Sequence, residues 1–111
     1  MKYEMKLNGE PFEAMKKGLK TVEMRLCDEK RSVIRAGDEI EFSHRQTGEK
    51  LATRVVNLRK FNSFEELYKC FDKSALGYEA WEIAHPCDMS KYYPTDEIEL
   101  YGALAIEIEL I

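Results

Sequence analysis

A hydroxyl, a carboxylate and a guanidinium recur at every second position in Thr21, Glu23 and Arg25, directly after Lys20. On an extended strand, side chains two residues apart leave from the same face, about 7 Å from one another. Val22, Met24 and Leu26 would then face the core, and the three polar groups the other side. Lys20 starts on the apolar side by strict alternation, but Gly18 before it leaves the chain free to swing the ammonium across a turn. The chemistry open to this set is recognition of a polar or anionic ligand. Arg25 can hold a phosphate or the acceptor edge of a base with two parallel hydrogen bonds, and Lys20 adds a point charge. Glu23 can accept from an amino group or a sugar hydroxyl, and Thr21 can donate or accept. The plain alternative is an exposed Glu23–Arg25 ion pair on a barrel wall, of little energetic weight.

Other residues join this set at lower specificity. His44-Arg45 ends a strand before a hairpin and could touch phosphate at a rim. Lys91-Tyr92-Tyr93 pairs a cation with two aromatics beside Pro94, a combination suited to stacking on a base. Trp81 reads as packing its segment onto the barrel. His85-Pro86-Cys87, with Cys27 and His44, raises a nucleophile or metal reading, but no Cys-x-x-Cys or His-x-x-x-His spacing accompanies it. No metal and no cofactor are therefore expected, and the cysteines read as buried and inert.

The elements that must position these groups follow from periodicity. Lys2 to Leu7 alternates as a first strand, Asn8 to Pro11 turns, and Phe12 to Lys17 is a short helix stopped by Gly18. Lys20 to Leu26 is the second strand, and Cys27 to Ala36 a charged loop. Gly37-Asp38 leads into a strand over Glu39 to His44, and Gln46 to Glu49 is a hairpin turn into a long strand, Leu51 to Phe61. Ser63-Phe64-Glu65-Glu66 has capping-box spacing, and Phe64, Leu67, Tyr68 and Phe71 form a helical core stripe. Residues 75 to 93 carry no clear period and predict short helical turns broken near Pro86 and Pro94. Tyr101-Gly102 introduces a last strand in which Leu104, Ile106, Ile108 and Leu110 alternate. Five or six strands with two or three short helices predict an α+β fold, a small and mostly antiparallel β-barrel.

Size and charge narrow the function classes. The 111 residues suit one domain, and 44% hydrophobic content is enough for a packed core. A formal charge of −4 argues against a protein that wraps duplex DNA, whose affinity comes from neutralising phosphates. A small ligand or a splayed nucleotide stays compatible, because local charge then outweighs the sum. Cations do cluster early, at Lys16, Lys17, Lys20, Arg25, Lys30, Arg31 and Arg35, and acids late, from Asp96 to Glu109. No run is long and apolar enough for a bilayer, the first residues lack a signal-peptide core, and three cysteines make no disulfide framework. A cytoplasmic setting is the simplest expectation.

Gly18-x-Lys20-x-x-Glu23-x-Arg25 resembles the Gly-x-Lys-x-x-Glu-x-Arg signature of the ASCH family. The preceding short helix, the Gly37-Asp38 strand entry and the Tyr101-Gly102 step resemble that family in the same order. The resemblance implies one PUA-like domain over residues 1 to 111, with a cleft lined by Gly18, Lys20, Glu23 and Arg25 that takes RNA or a nucleotide-like ligand. It also implies an enzymatic alternative. One branch of the family hydrolyses acetylcytidine with a Lys, a Thr and a Glu, and others are ribonucleases. Lys20 matches the lysine as acid/base. Glu23 stands where the nucleophilic Thr would be, and Thr21 lies two residues earlier, so its hydroxyl is displaced by about 7 Å. Glu79 or Glu82 would be the acidic partner.

Overall fold

The computed structural model describes residues 1–111. Its five strands are β1 (Lys2–Leu7), β2 (Val22–Leu26), β3 (Glu39–His44), β4 (Lys50–Phe61) and β5 (Ala103–Leu110). They form one mixed sheet in the order β1-β3-β4-β5-β2, curled into a half-barrel with β1 and β2 at its two edges. Only the β1–β3 pair is parallel; the others are antiparallel, as alternation and the hairpin at Gln46–Glu49 lead one to expect. The helices are α1 (Gly9–Lys16), α2 (Phe64–Cys70) and α3 (Thr95–Tyr101), with a 3-10 helix at Pro86–Lys91.

Strand β5 has apolar neighbours on both faces, and this divides the interior into two cores. Leu104, Ile106 and Ile108 pack inside the half-barrel with Phe12 and Met15 of α1 and Ile40 and Phe42 of β3. Ala103 and Ala105 face the other way, toward Phe64 and Leu67 of α2 and Val22 and Leu26 of β2. Alanine suits that side because a helix lies against it. The capping box at α2 forms in a variant way. Ser63 Oγ accepts from the Glu66 amide at 3.2 Å, while the Glu66 carboxylate accepts from the amide of Asn62 rather than that of Ser63.

Element ends depart from the expected ones for identifiable reasons. Helix α1 starts at Gly9, so Pro11 sits within its first turn, where a missing N–H costs no intrahelical bond. Strand β2 starts at Val22 because the backbone before it is bound elsewhere. The Lys20 amide donates to the Ala14 carbonyl, and the amides of Thr21 and Val22 both donate to Ala75. Helix α3 was not foreseen. Pro94, expected to break local structure, instead stands just before α3 with φ −64°, pre-set for helix entry. Trp81, expected to pack inward, is 78% exposed, and its indole N–H donates to Glu79. Cys70 and Cys87 are exposed rather than buried, and Cys27 is half-buried.

Gly102 makes the turn from α3 into β5 at φ +77°, and a Cβ there would lie 2.6 Å from the Phe61 carbonyl oxygen. Gly102→Ala is expected to lower stability by at least about 2 kcal/mol, since backbone strain adds to a clash with rigid main chain. Urea unfolding followed by far-UV circular dichroism reads this directly. An unchanged midpoint would contradict the close approach of β4 to this turn.

Candidate functional site

Alternation along β2 places Glu23 and Arg25 opposite Ile106 and Leu104 of β5, on the side toward the half-barrel interior. Val22 and Leu26 go into the α2 core. Lys20, two residues before β2, turns its side chain under the strand. Its Nζ donates to the carbonyls of Val22 and Leu76, each at 2.9 Å, and lies 3.4 Å from Glu23 Oε1. Glu23 Oε2 accepts from Arg25 Nε at 2.9 Å and lies 2.7 Å from Nη2, and Oε1 accepts from the Met24 amide. Arg25 Nη2 also donates to the Lys6 carbonyl at 3.0 Å, which joins edge strand β2 to edge strand β1. Lys20 and Glu23 are 4% and 5% exposed, so this is a buried ionic cluster and not the exposed pair of the plain alternative.

Burial penalises each of these charges, and the cluster answers it differently at each residue. For Glu23, desolvation raises the carboxyl, but Lys20 and Arg25 outweigh it and hold the group below the ordinary glutamate value of 4.5. For Lys20, desolvation pushes the ammonium down, and Glu23 opposes it. The surroundings of Nζ are three acceptors and no donor, an arrangement that fits three N–H bonds of an ammonium. Desolvation also disfavours the Arg25 charge, and Glu23 with the neighbouring Tyr93 hydroxyl holds it above its usual range. With Glu23 ionised the cluster carries one surplus positive charge.

That surplus sits at the base of a cleft of about 540 Å³. Lys20, Glu23 and Arg25 form its floor, Asn8 to Pro11 contribute one side, and Tyr68, Tyr78 and Asp88 the other. Arg45, Lys91, Tyr92 and Tyr93 also line it, so seven of the binding residues expected from the sequence come together here, with Glu82 but not Glu79 of the two candidate acidic partners. Tyr92 is 60% exposed, whereas Tyr93 is half-buried and stacked on Phe64 with ring centroids 6.2 Å apart. Gly18, Thr21 and His44 do not line the cleft. Gly18 serves the turn after α1 at φ +80°, and nothing lies within 4 Å of where its Cβ would be. Thr21 is exposed, because the chain enters the sheet only after it. His44 Nδ1 accepts from the amides of Gln46 and Thr47, and its ring meets Phe12 edge-on at 5.2 Å, so it shapes the hairpin. The nucleophile and metal readings gain nothing: His85 Nδ1 accepts from the Cys87 amide at the start of the 3-10 helix, and no three His, Cys, Asp or Glu residues gather as a metal site.

Sequence reasoning missed the wall opposite the cations. Tyr68 and Tyr78 hydroxyls are 2.8 Å apart, and Tyr78 donates to Asp88 Oδ2 at 2.7 Å. Burial raises both phenols, so they act as neutral donors and acceptors. The helical spacing of Tyr68 read as core, and nothing in the sequence links residues 68, 78 and 88. Gly77 was missed as well. A Cβ there would come 3.1 Å from Lys20 Cδ and the backbone φ is +105°, so a side chain at this position would be strained and would crowd the lysine stem.

A β-half-barrel with a polar cleft floored by an edge strand defines the chain as a small PUA-like fold. The sequence model of the ASCH domain matches residues 5–111, and the chain belongs to that family. The hypothetical protein PH0355, known from a crystal structure, is 34% identical over the full length of both chains, with a TM-score of 0.80. Protein PF0455 from Pyrococcus furiosus, known from solution NMR, is also 34% identical, over all of this chain and 98% of its own, with a TM-score of 0.71. No curated protein matches the chain.

The ionic cluster has a signature in acid. An unfolded Glu23 takes up its proton near 4.5 and the folded one only below that, so its stabilisation is complete above the unfolded value and is lost as pH falls through the folded one. Glu23→Gln is expected to cost about 3 kcal/mol at neutral pH, because two buried cations lose their counter-charge. It should also flatten the decline of the urea midpoint as pH falls below about 5. An acid slope identical to that of the wild type would show that the carboxyl is not held down by its neighbours.

Proposed function

We propose that the chain acts as a single ASCH domain that binds RNA or a nucleotide-like ligand in the Lys20–Glu23–Arg25 cleft. The observation that carries this reading is a reversal of charge. The protein is −4 overall, yet the cleft is lined by six Lys and Arg against four Asp and Glu. Arg25 serves both structure and cleft: Nε and Nη2 are engaged with Glu23 and Lys6, and the guanidinium lines the cleft beside the Tyr93 hydroxyl. Phosphate suits Arg25, Arg45 and Lys91, and the exposed Tyr92 ring suits a base. Asp88 uses only Oδ2 toward Tyr78, which leaves Oδ1 for an amino edge. A duplex fits less well, because outside the cleft the acidic surface repels phosphates. No helix is long and apolar enough to cross a membrane, and the three unpaired cysteines suit a reducing compartment such as the cytoplasm.

The hydrolase alternative asks Lys20 to exchange a proton with substrate. All three of its N–H bonds have acceptors inside the protein, and Thr21 lies outside the cleft, so binding is the better-supported reading. Titration of wild type with nucleoside monophosphates and short single-stranded RNA is expected to give saturable binding. A double variant, Arg45→Ala with Lys91→Ala, should weaken it about tenfold or more through lost phosphate contacts. Equal affinity in that variant would remove the cleft from the binding reaction. Turnover of acetylcytidine or RNA that disappears in Lys20→Ala would replace the binder by an enzyme.

A further inference from the structure

Beyond Arg25 lies a second hollow of about 350 Å³, bounded by β1, β3 and the loop after β2. Lys6, Arg25, Lys30, Arg31 and Arg45 line it, against one acid, Glu4. Four of these cations, Lys6, Arg25, Arg31 and Arg45, line the main cleft too, so the hollows are the two flanks of one cationic ridge. Elsewhere some surface cations find partners, since Lys2 and Lys50 share Glu41, Lys16 meets Glu49 and Arg54 meets Glu109, while others such as Lys17, Lys60 and Lys69 stand apart and line neither hollow. On the ridge, Arg31 is paired with Asp28 and Arg25 with Glu23, but Lys6, Lys30 and Arg45 form no ion pair. Three unpaired like charges around one hollow repel each other, and an anion held among them relieves that repulsion.

We propose that this groove holds a backbone phosphate of the nucleotide next to the one in the cleft, so that the ligand is a single strand of at least two nucleotides crossing the Arg25–Arg45 ridge. The inference rests on the cleft reading above. Ser43 and Tyr3 line the groove and bring hydroxyls for a phosphate oxygen or a sugar. A strand that enters hollows on both flanks of a ridge must bend over it. Single strands do this freely, and duplexes, stiff over about 150 base pairs, do not.

Lys30 and Ser43 line the groove and not the cleft, and Lys91 lines the cleft and not the groove. Binding of a fluorescent single-stranded hexaribonucleotide and of a nucleoside monophosphate is measured for wild type, Lys30→Glu, Ser43→Asp and Lys91→Ala. The groove variants are expected to weaken the hexanucleotide about fivefold or more and the monophosphate by less than about twofold. Lys30→Ala should reduce the salt slope of hexanucleotide binding by about one. Thermal melts check folding, and exposed Lys30 carries the test if Ser43→Asp unfolds. The groove assignment is overturned if the groove variants leave hexanucleotide binding intact, or weaken both ligands equally. With Lys91→Ala weakening both ligands, the cleft reading survives that outcome. Wild type that binds neither ligand overturns both.

Discussion

The Glu23 carboxylate, held between Lys20 and Arg25, is the point to which separate parts of the fold are tied. Through Arg25 Nη2 and the Lys6 carbonyl it links β2 to β1, the two edges the sheet leaves unpaired. Through Lys20 and the Leu76 carbonyl it fixes the loop that carries Tyr78. Both links are strained without the ionised carboxylate, because each cation would then be buried without a counter-charge. The half-barrel therefore adds a buried charge cluster to its two apolar cores.

Such a cluster is a poor choice for stability alone. Apolar residues of similar volume often replace buried ion pairs without loss, and sometimes with gain. Leucine or methionine at these positions could fill the space under Ile106, but could not leave a positive surplus at the base of a cleft. The two cations also differ in use. Lys20 spends its hydrogens on backbone carbonyls and Glu23, whereas Arg25 divides itself between Glu23, the Lys6 carbonyl and the cleft it lines. The planar guanidinium permits this division, since it can serve the structure along one edge and still line the cleft.

Strand periodicity carried most of the fold, because β1, β3 and β4 bury one face more than the other and alternate accordingly. It located Glu23 and Arg25 on a common side, and Gly18 gave reason to bring Lys20 across. Alternation failed at Thr21, since the amides of Thr21 and Val22 are captured by Ala75, a contact between distant segments with no local trace. Residues 75 to 93 stayed opaque for the same reason. Their order comes from Lys73 reaching the carbonyls of Ala80 and Glu82, from Tyr78 reaching Asp88, and from Gly77 lying on Lys20. Helix α3 is seven residues with no buried side chain, so it had no apolar stripe to read.

The loop that was hardest to read supplies what makes the cleft asymmetric. On the strand side stand Arg25 and Arg45; on the loop side, two neutral phenols end on the Asp88 carboxylate, which shares its 3-10 helix with Lys91. A free inorganic anion would use the first side and meet repulsion near the second. A ligand with an anionic end and a hydrogen-bond-donating edge matches both, and a nucleotide has that polarity built in. Because Lys20 fastens the loop to the strand, moving either wall would disturb the buried cluster. The distance between the phosphate-seeking groups and the donor-seeking ones is thus set by the same carboxylate that closes the half-barrel.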